Sequence, residues 1–419
     1  ILNCHDSMSR RGPDFNNNIH FKSKKKNIYL LHNRLKIIDL SDQANQPFSH
    51  LGYTLVFNGE IYNFKEIKKD LISHGYKFRT KSDTEVLLKN FIHKRYKAFE
   101  DFEGMWSLAI WDDNSKELIL SRDRFGQKPL FYFKYNNEIF FGSQINQITK
   151  LSNFFFKVNK KKVFDYLGAG YRSLFKDNKT FYDKIYHFPP GNYAVIKNQK
   201  ITFKKFWILK NKLNFKLNYN DAKIQLNYLI NKSVKNCLIS DQKISTMLSG
   251  GIDSNVIFSC IKDQNHKDIT TCSVIDSDSR YDESENIQIS LKDTLNKNIF
   301  VDGKDISSQD LIENLKKKIY FYSSPVLTIS AYVSSFLQKK ISESGIRVNL
   351  SGNGSDEIFS GYYQHHAYFL KTIKSQKNYS ENQKYWKEKI YPIVRNPHLR
   401  DEKIFLKNKN YIKSLLNYL

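Results

Sequence analysis

The stretch KISTMLSGGIDSNVIFSC, residues 243–260, decides the fold of the second half of the chain. A short apolar run breaks at Ser-Gly-Gly, an aspartate follows, and apolar residues resume at helical spacing, which predicts strand, tight loop and helix. Such a loop aims the N–H groups of Ser249, Gly250, Gly251 and Ile252 outward at a helix N-terminus, with no glycine side chain in the way of a phosphate. It has neither the GxxxxGKS/T spacing and lysine nor the GxGxxG pattern of the better-known phosphate loops. Asp253 adds a hard oxygen ligand for a Mg²⁺ ion screening the phosphates.

A second unit of the same kind, IRVNLSGNGSDEIFSGY at 346–362, brings Asp356 and Glu357 after its own strand. Two strand–loop–helix units predict a doubly wound α/β domain whose ligands sit at the carboxyl ends of parallel strands. The first half reads differently. NIYLLHNRLKIIDL, YTLVFNGEIYN, MWSLAIWDDNSKELILSRD and LFYFKYNNEIFFGS alternate as β-strands do, with DDNSK as a hairpin turn. Packed antiparallel sheets are expected there, with a helix inserted at SDTEVLLKNFIHKRY. Ser82 and Glu85 have the spacing of a capping box. The first domain is placed at 1–207, a linker at 208–220 and the second domain at 221–419.

No apolar run reaches membrane-spanning length, and the N-terminus lacks a signal-peptide layout, so a cytoplasmic protein is expected. The net charge of +25 would suit a nucleic-acid binder, but only 12 of the 67 basic residues are arginine and the lysines are dispersed, which favours solvated faces and no nucleic-acid partner. Cys4, Cys237, Cys260 and Cys272 show no paired metal-ligand spacing and read as reduced thiols.

LSGGIDS resembles the pyrophosphate loop of the N-type ATP pyrophosphatases. RRGPD (10–14), HNRLKIIDLS (32–41), FNGEIYN (57–63), SDTEV (82–86), GMWSLAIWD (104–112), RDRFGQKPLFY (122–132), YDESE (281–285) and SGNGSDEIFSGY (351–362) occur in the order seen in glutamine-hydrolysing asparagine synthetases. The resemblance runs through nearly the whole chain. It implies an α+β antiparallel sandwich of the N-terminal-nucleophile glutaminase type, followed by an α/β parallel-sheet ATP pyrophosphatase domain. It further implies that Arg34 and Asp83 hold the carboxylate and amine of glutamine, that Asn58 and Gly59 form an oxyanion hole, and that Glu60 lines the same pocket. ATP would be bound by Leu248, Ser249, Gly250, Gly251, Asp253, Ser254, Val274, Ser351 and Gly352, with Mg²⁺ on Asp253 and Asp356.

The implied reaction converts aspartate, ATP and glutamine to asparagine, AMP, pyrophosphate and glutamate through an acyl-adenylate. Two departures stand out. The family's nucleophile is an N-terminal cysteine, whereas this chain opens with Ile1 and Cys4 lies too close to RRGPD. That suggests a chain truncated at both ends, which as it stands would not hydrolyse glutamine. Asn353 occupies a position where aspartate-using relatives carry a carboxylate, so a sugar acid in polysaccharide biosynthesis is the alternative acceptor. An RNA-modifying pyrophosphatase would explain the charge but not the first half. Homodimerisation is left open by the sequence.

Overall fold

Apolar–polar alternation commits one or both faces of each strand in the first half to a core. In the computed structural model the described residues are 2–23, 26–210, 217–264, 269–276, 278–279, 281–292, 297–305 and 311–394. After helix Leu2–Met8 come β1 (Phe15–Ser23), β2 (Lys26–Arg34), β3 (Phe48–His50) and β4 (Tyr53–Ile61). Helices Phe64–Ser73 and Asp83–Lys94 lead to β5 (Gly104–Asp112), β6 (Glu117–Arg122), β7 (Phe131–Tyr135) and β8 (Glu138–Gly142). Helices Ile145–Ser152 and Lys160–Ala169 precede β9 (Ile185–His187), β10 (Asn192–Lys197) and β11 (Lys200–Lys205).

Six of these strands form one antiparallel sheet in the order β11-β10-β6-β5-β4-β3. The hairpin expected at DDNSK joins β5 to β6, with Asp112 opposite Glu117. On one face Phe57, Leu108 and Ile110 pack against Leu71, Leu87 and Phe91 of the two central helices. On the other, Val56, Trp111 and Leu120 meet Leu30 of β2 and residues of the separate three-stranded sheet β8-β7-β9. Trp106, Phe91, Phe99 and Phe102 are all 0% exposed, and complete burial of such side chains contributes about 1.5–3 kcal/mol each. The domain is thus a layered antiparallel structure with more helices than the single inserted one expected.

Ser82 does cap helix Asp83–Lys94, but through the N–H of Thr84. Glu85 does not reach back to complete a capping box. Its carboxylate, buried with Thr80 and Lys89, instead accepts from the N–H groups of Arg79 and Thr80 and pairs with Lys89. Tertiary acceptor demand outcompeted the local motif.

The expected linker falls partly outside the described residues. Beyond it, helix Tyr219–Cys237 leads into four strands, β12 (Ile244–Met247), β13 (Thr270–Ile275), β14 (Asn298–Asp302) and β15 (Val348–Leu350). They pair in parallel in the order β14-β13-β12-β15. Helices Tyr219–Cys237, Ile252–Asp263 and Ser284–Leu291 cover one face and Ile329–Glu343 the other. Chain order reverses across β12, which makes the β12–β15 crevice the topological switch point where ligands of such sheets bind. The second loop is followed by only a short helix, Ser355–Phe359.

Candidate active site

In the first domain the strand end of β4 carries Asn58, Gly59 and Glu60. Asn58 Nδ2 donates to Ser143 Oγ at 3.1 Å. Gly59 packs so closely on β5 that a Cβ there would lie 2.0 Å from the Met105 carbonyl oxygen, a contact only glycine avoids. Asp83 begins its helix, and its Oδ2 accepts from the N–H of Ile61 at 3.0 Å. Arg34 ends β2 and is buried. Its Nη1 donates to Ser41 O at 2.9 Å and Asn45 Oδ1 at 2.8 Å, and its Nη2 to Ile38 O at 3.2 Å and to Asp39 O. Both terminal nitrogens are therefore already engaged by a loop, which leaves Nε or partner exchange for a ligand.

These residues share a cavity of about 1900 Å³ that also reaches residues of the second domain, among them Cys237, Ile257, Leu350, Ser351 and Asn353. Burial pushes the Glu60 carboxyl up to about 7, with Asp83 repulsion adding and buried Lys128 subtracting. Burial likewise raises Asp83, to about 6, against the hydrogen bonds it accepts. Burial thus disfavours charge on both carboxyls, and a cation beside them would favour their ionised forms. The Tyr62 hydroxyl and the Cys237 thiol interact across the domain boundary, and burial raises that thiol to about 11. Cys4 lines the cavity too, and burial pushes its thiol up, the opposite of an activated nucleophile. All four cysteines are free.

A pH dependence follows from Glu60. A cationic ligand group would prefer the ionised pocket, so affinity for an α-ammonium ligand should rise about tenfold between pH 6 and pH 8, with a midpoint near 7. Titration calorimetry with an α-amino acid across that range checks it. Glu60→Gln should remove the part of the profile centred near 7. The raised value also means that the folded protein holds this proton more tightly than the unfolded chain, so Glu60 lowers stability as pH rises from its ordinary 4.5 through 7.

In the second domain the loop amides do not stand open as the sequence suggests. Ser249 N–H donates to Ser254 Oγ at 3.1 Å, Gly251 N–H to Ser249 Oγ at 3.2 Å, and Gly250 N–H to Glu283 Oε2 at 2.8 Å. Desolvated amides find acceptors, and here side chains supply them. Asn255, overlooked in the sequence, braces the loop by donating to the carbonyls of Ser249 and Gly251 at 2.9 and 2.8 Å. Glu283 was visible only as part of YDESE. Leu248 is buried and its N–H donates to Cys272 O at 2.9 Å. Val274 lies on neighbouring β13. The second loop lies directly against the first. A Cβ on Gly352 would sit 2.9 Å from that of Asp253, so Ser351 and Gly352 close over the aspartate. Asp356 sits in the first turn of the short helix Ser355–Phe359 and approaches Gly361.

Among the described residues, no three His, Cys, Asp or Glu side chains cluster as a metal site. Carboxylate oxygens such as those of Asp253 and Asp356 are hard donors of the kind Mg²⁺ takes alongside waters and phosphate oxygens. Among the described residues no helix is long and apolar enough to cross a membrane.

An antiparallel glutaminase-type domain followed by a parallel ATP-pyrophosphatase-type domain defines the class. Residues 1–207 match the glutamine amidotransferase domain family and residues 225–415 match the asparagine synthase family. Glutamine-hydrolysing asparagine synthetase 1 of Bacillus subtilis (strain 168) is 30% identical over 372 residues, 86% of this chain and 55% of that protein. Glutamine-hydrolysing asparagine synthetase 2 of the same strain is 30% identical over 373 residues, 85% of this chain and 49% of that protein. Amidase chry2 of Gibberella zeae is 26% identical over 382 residues, 85% of this chain and 54% of that protein. The chain spans about half the length of these curated relatives. It belongs to the two-domain glutamine amidotransferase/asparagine-synthetase-like proteins.

Proposed function

We propose that the protein is a carbon–nitrogen ligase that takes its nitrogen from glutamine and forms asparagine from aspartate with ATP. The supporting observation is the single cavity, which reaches Arg34, Asn58, Glu60 and Asp83 in one domain and Ser351 and Asn353 in the other. Arg34 and the Asp83–Glu60 pair would hold the two charged ends of glutamine. The N-terminal cysteine that the family uses would attack the amide carbon while Asn58 and Gly59 receive the developing oxyanion; collapse would expel ammonia and leave a thioester, which water would hydrolyse to glutamate and free thiol.

At the second site the acceptor carboxylate would attack the α-phosphate of ATP, breaking the α–β bridge and releasing pyrophosphate. Ammonia would then displace AMP from the acyl-adenylate. Ser249, Gly250 and Gly251 would turn their N–H groups from internal acceptors to phosphate oxygens, Leu248 and Val274 would flank the nucleotide, and Ser254, Ser351 and Gly352 would shape the cradle. Asp253 and Asp356 would hold Mg²⁺, which when bound supplies charge neutralisation for the leaving pyrophosphate.

Asn353 favours a second acceptor reading. It lines the cavity as a neutral amide, able to position ammonia or an acceptor hydroxyl but not to take a proton. A carboxylate other than aspartate, such as a sugar acid, is that reading, and the amidase name among the relatives fits a varied acceptor. The full-length protein supplied with ATP, Mg²⁺ and ammonia decides between them. Saturable AMP formation with aspartate and asparagine as product supports the first reading, turnover with hexuronic acids alone supports the second, and no acceptor-dependent AMP formation refutes both.

A further inference from the structure

The loop that engages Arg34 also forms a seam between the domains. Ile38 O accepts from Arg34 Nη2 at 3.2 Å, while the N–H of the same peptide, on Asp39, donates to Asp241 Oδ2 at 2.7 Å. Because a peptide group is planar, its carbonyl cannot swing off Arg34 without its N–H moving relative to Asp241. The seam continues on both sides. Asp241 N–H donates to Ile37 O at 3.0 Å and Gln242 Nε2 to Lys36 O at 3.0 Å. Lys36 N–H donates to Asp14 Oδ2 at 2.8 Å, and the same oxygen accepts from Arg347.

The second-domain partners stand at informative places. Asp241 and Gln242 immediately precede β12, and Arg347 immediately precedes β15. Those two strands pair in parallel, with Ile244 opposite Val348, and their other ends carry the Ser249–Gly251 and Ser351–Gly352 loops. Asp39 itself is held at φ 57°, with its carboxylate accepting from Ser41 N–H, Ser41 Oγ and Lys81 N–H. The peptide is thus fixed from three directions and exposed to one exchangeable partner, the Arg34 guanidinium.

We propose that the Ile38–Asp39 peptide, held between Arg34 and Asp241, couples occupancy of the glutamine pocket to the two phosphate loops of the second domain. The inference rests on the reading of Arg34 as the glutamine carboxylate ligand. A carboxylate arriving at Arg34 exchanges with the Ile38 or Asp39 carbonyl, the peptide shifts, and the bases of β12 and β15 follow through Asp241, Gln242 and Arg347. By reciprocity, nucleotide bound at the far ends of those strands favours the glutamine-competent peptide position. Asp241 is a positioning residue and touches no substrate.

The test compares wild type, Asp241→Ala and Asp241→Asn in the full-length protein, measuring glutamate formed per pyrophosphate released. With ammonia as nitrogen source, pyrophosphate release by Asp241→Ala should stay within about twofold of wild type. With glutamine, its glutamate-to-pyrophosphate ratio should rise at least about fivefold, the lower end of ordinary coupling, and stimulation of glutaminase by ATP plus acceptor should disappear. Asp241→Asn, which keeps an oxygen acceptor, should restore most of both. A ratio within about twofold of wild type in folded Asp241→Ala overturns the proposal. Should that variant not fold, Gln242→Ala, which removes only the donor to Lys36 O, is held to the same criterion. Absence of ammonia-supported pyrophosphate release from the wild type would overturn the ligase reading, and this inference with it.

Discussion

Asp253→Ala is expected to reduce acceptor-dependent pyrophosphate release by on the order of a thousandfold, the scale of losing several kcal/mol of charge stabilisation at a leaving phosphate. Asp356→Ala should behave alike. Asp253 sits in the first turn of helix Ile252–Asp263, covered by Gly352, while no part of the glutamine pocket depends on it. Basal glutamine hydrolysis by the full-length variant, measured without ATP or acceptor, should therefore stay within about threefold of wild type, as expected for a change that touches no part of that pocket. Pyrophosphate release and glutamate release, measured on the same preparations, check both halves. Undiminished pyrophosphate release in the two variants would remove the metal assignment.

Asn58→Ala should give the mirror image. An oxyanion-hole donor is worth about 10²–10³ in kcat, and its loss should leave KM for glutamine nearly unchanged, because the donor meets charge that exists only as the amide is attacked. Its Nδ2 now rests on Ser143 Oγ, which lines the cavity, so the truncation leaves that hydroxyl free to turn to water there and folding is little affected. Ammonia-supported synthesis should be within about twofold of wild type. A loss confined to KM would show that Asn58 binds glutamine and does not stabilise the transition state.

Much of the architecture is written in local pattern. The β-type runs YTLVFNGEI and GMWSLAIWD appear as the paired strands β4 and β5, but both of their faces are buried, one against helices and the other against β2 and the second sheet, because they lie in the middle of the sheet. The strand–loop–helix reading of KISTMLSGGIDSNVIFSC likewise reappears as β12 and helix Ile252–Asp263. Where the reading missed, a distant group had intervened. Glu85 left Ser82 for Arg79 and Thr80, and the amide of Gly250 is taken by Glu283, far along the chain. Hydrogen-bond partners are chosen by proximity after folding, and proximity across many residues leaves no spacing signal.

The sequence by itself determined the class of each half and the residue types at the two loops, since each depends on local pattern within a few residues, whereas the need for glycine at position 59 comes from the close approach of Met105 on the neighbouring strand. Only the tertiary structure decided how these pieces address one another. Packing of the two domains brings Asp241 under the Ile38–Asp39 peptide, Cys237 beside Tyr62 and Asn353 into the cavity that Asn58 also lines. Burial then raises Glu60 and Asp83 together, because taking carboxyls out of water disfavours their charged forms, and the Asp83 charge adds to the effect at Glu60. Both effects arise from desolvation and distance in three dimensions, quantities that a linear spacing of residues does not contain.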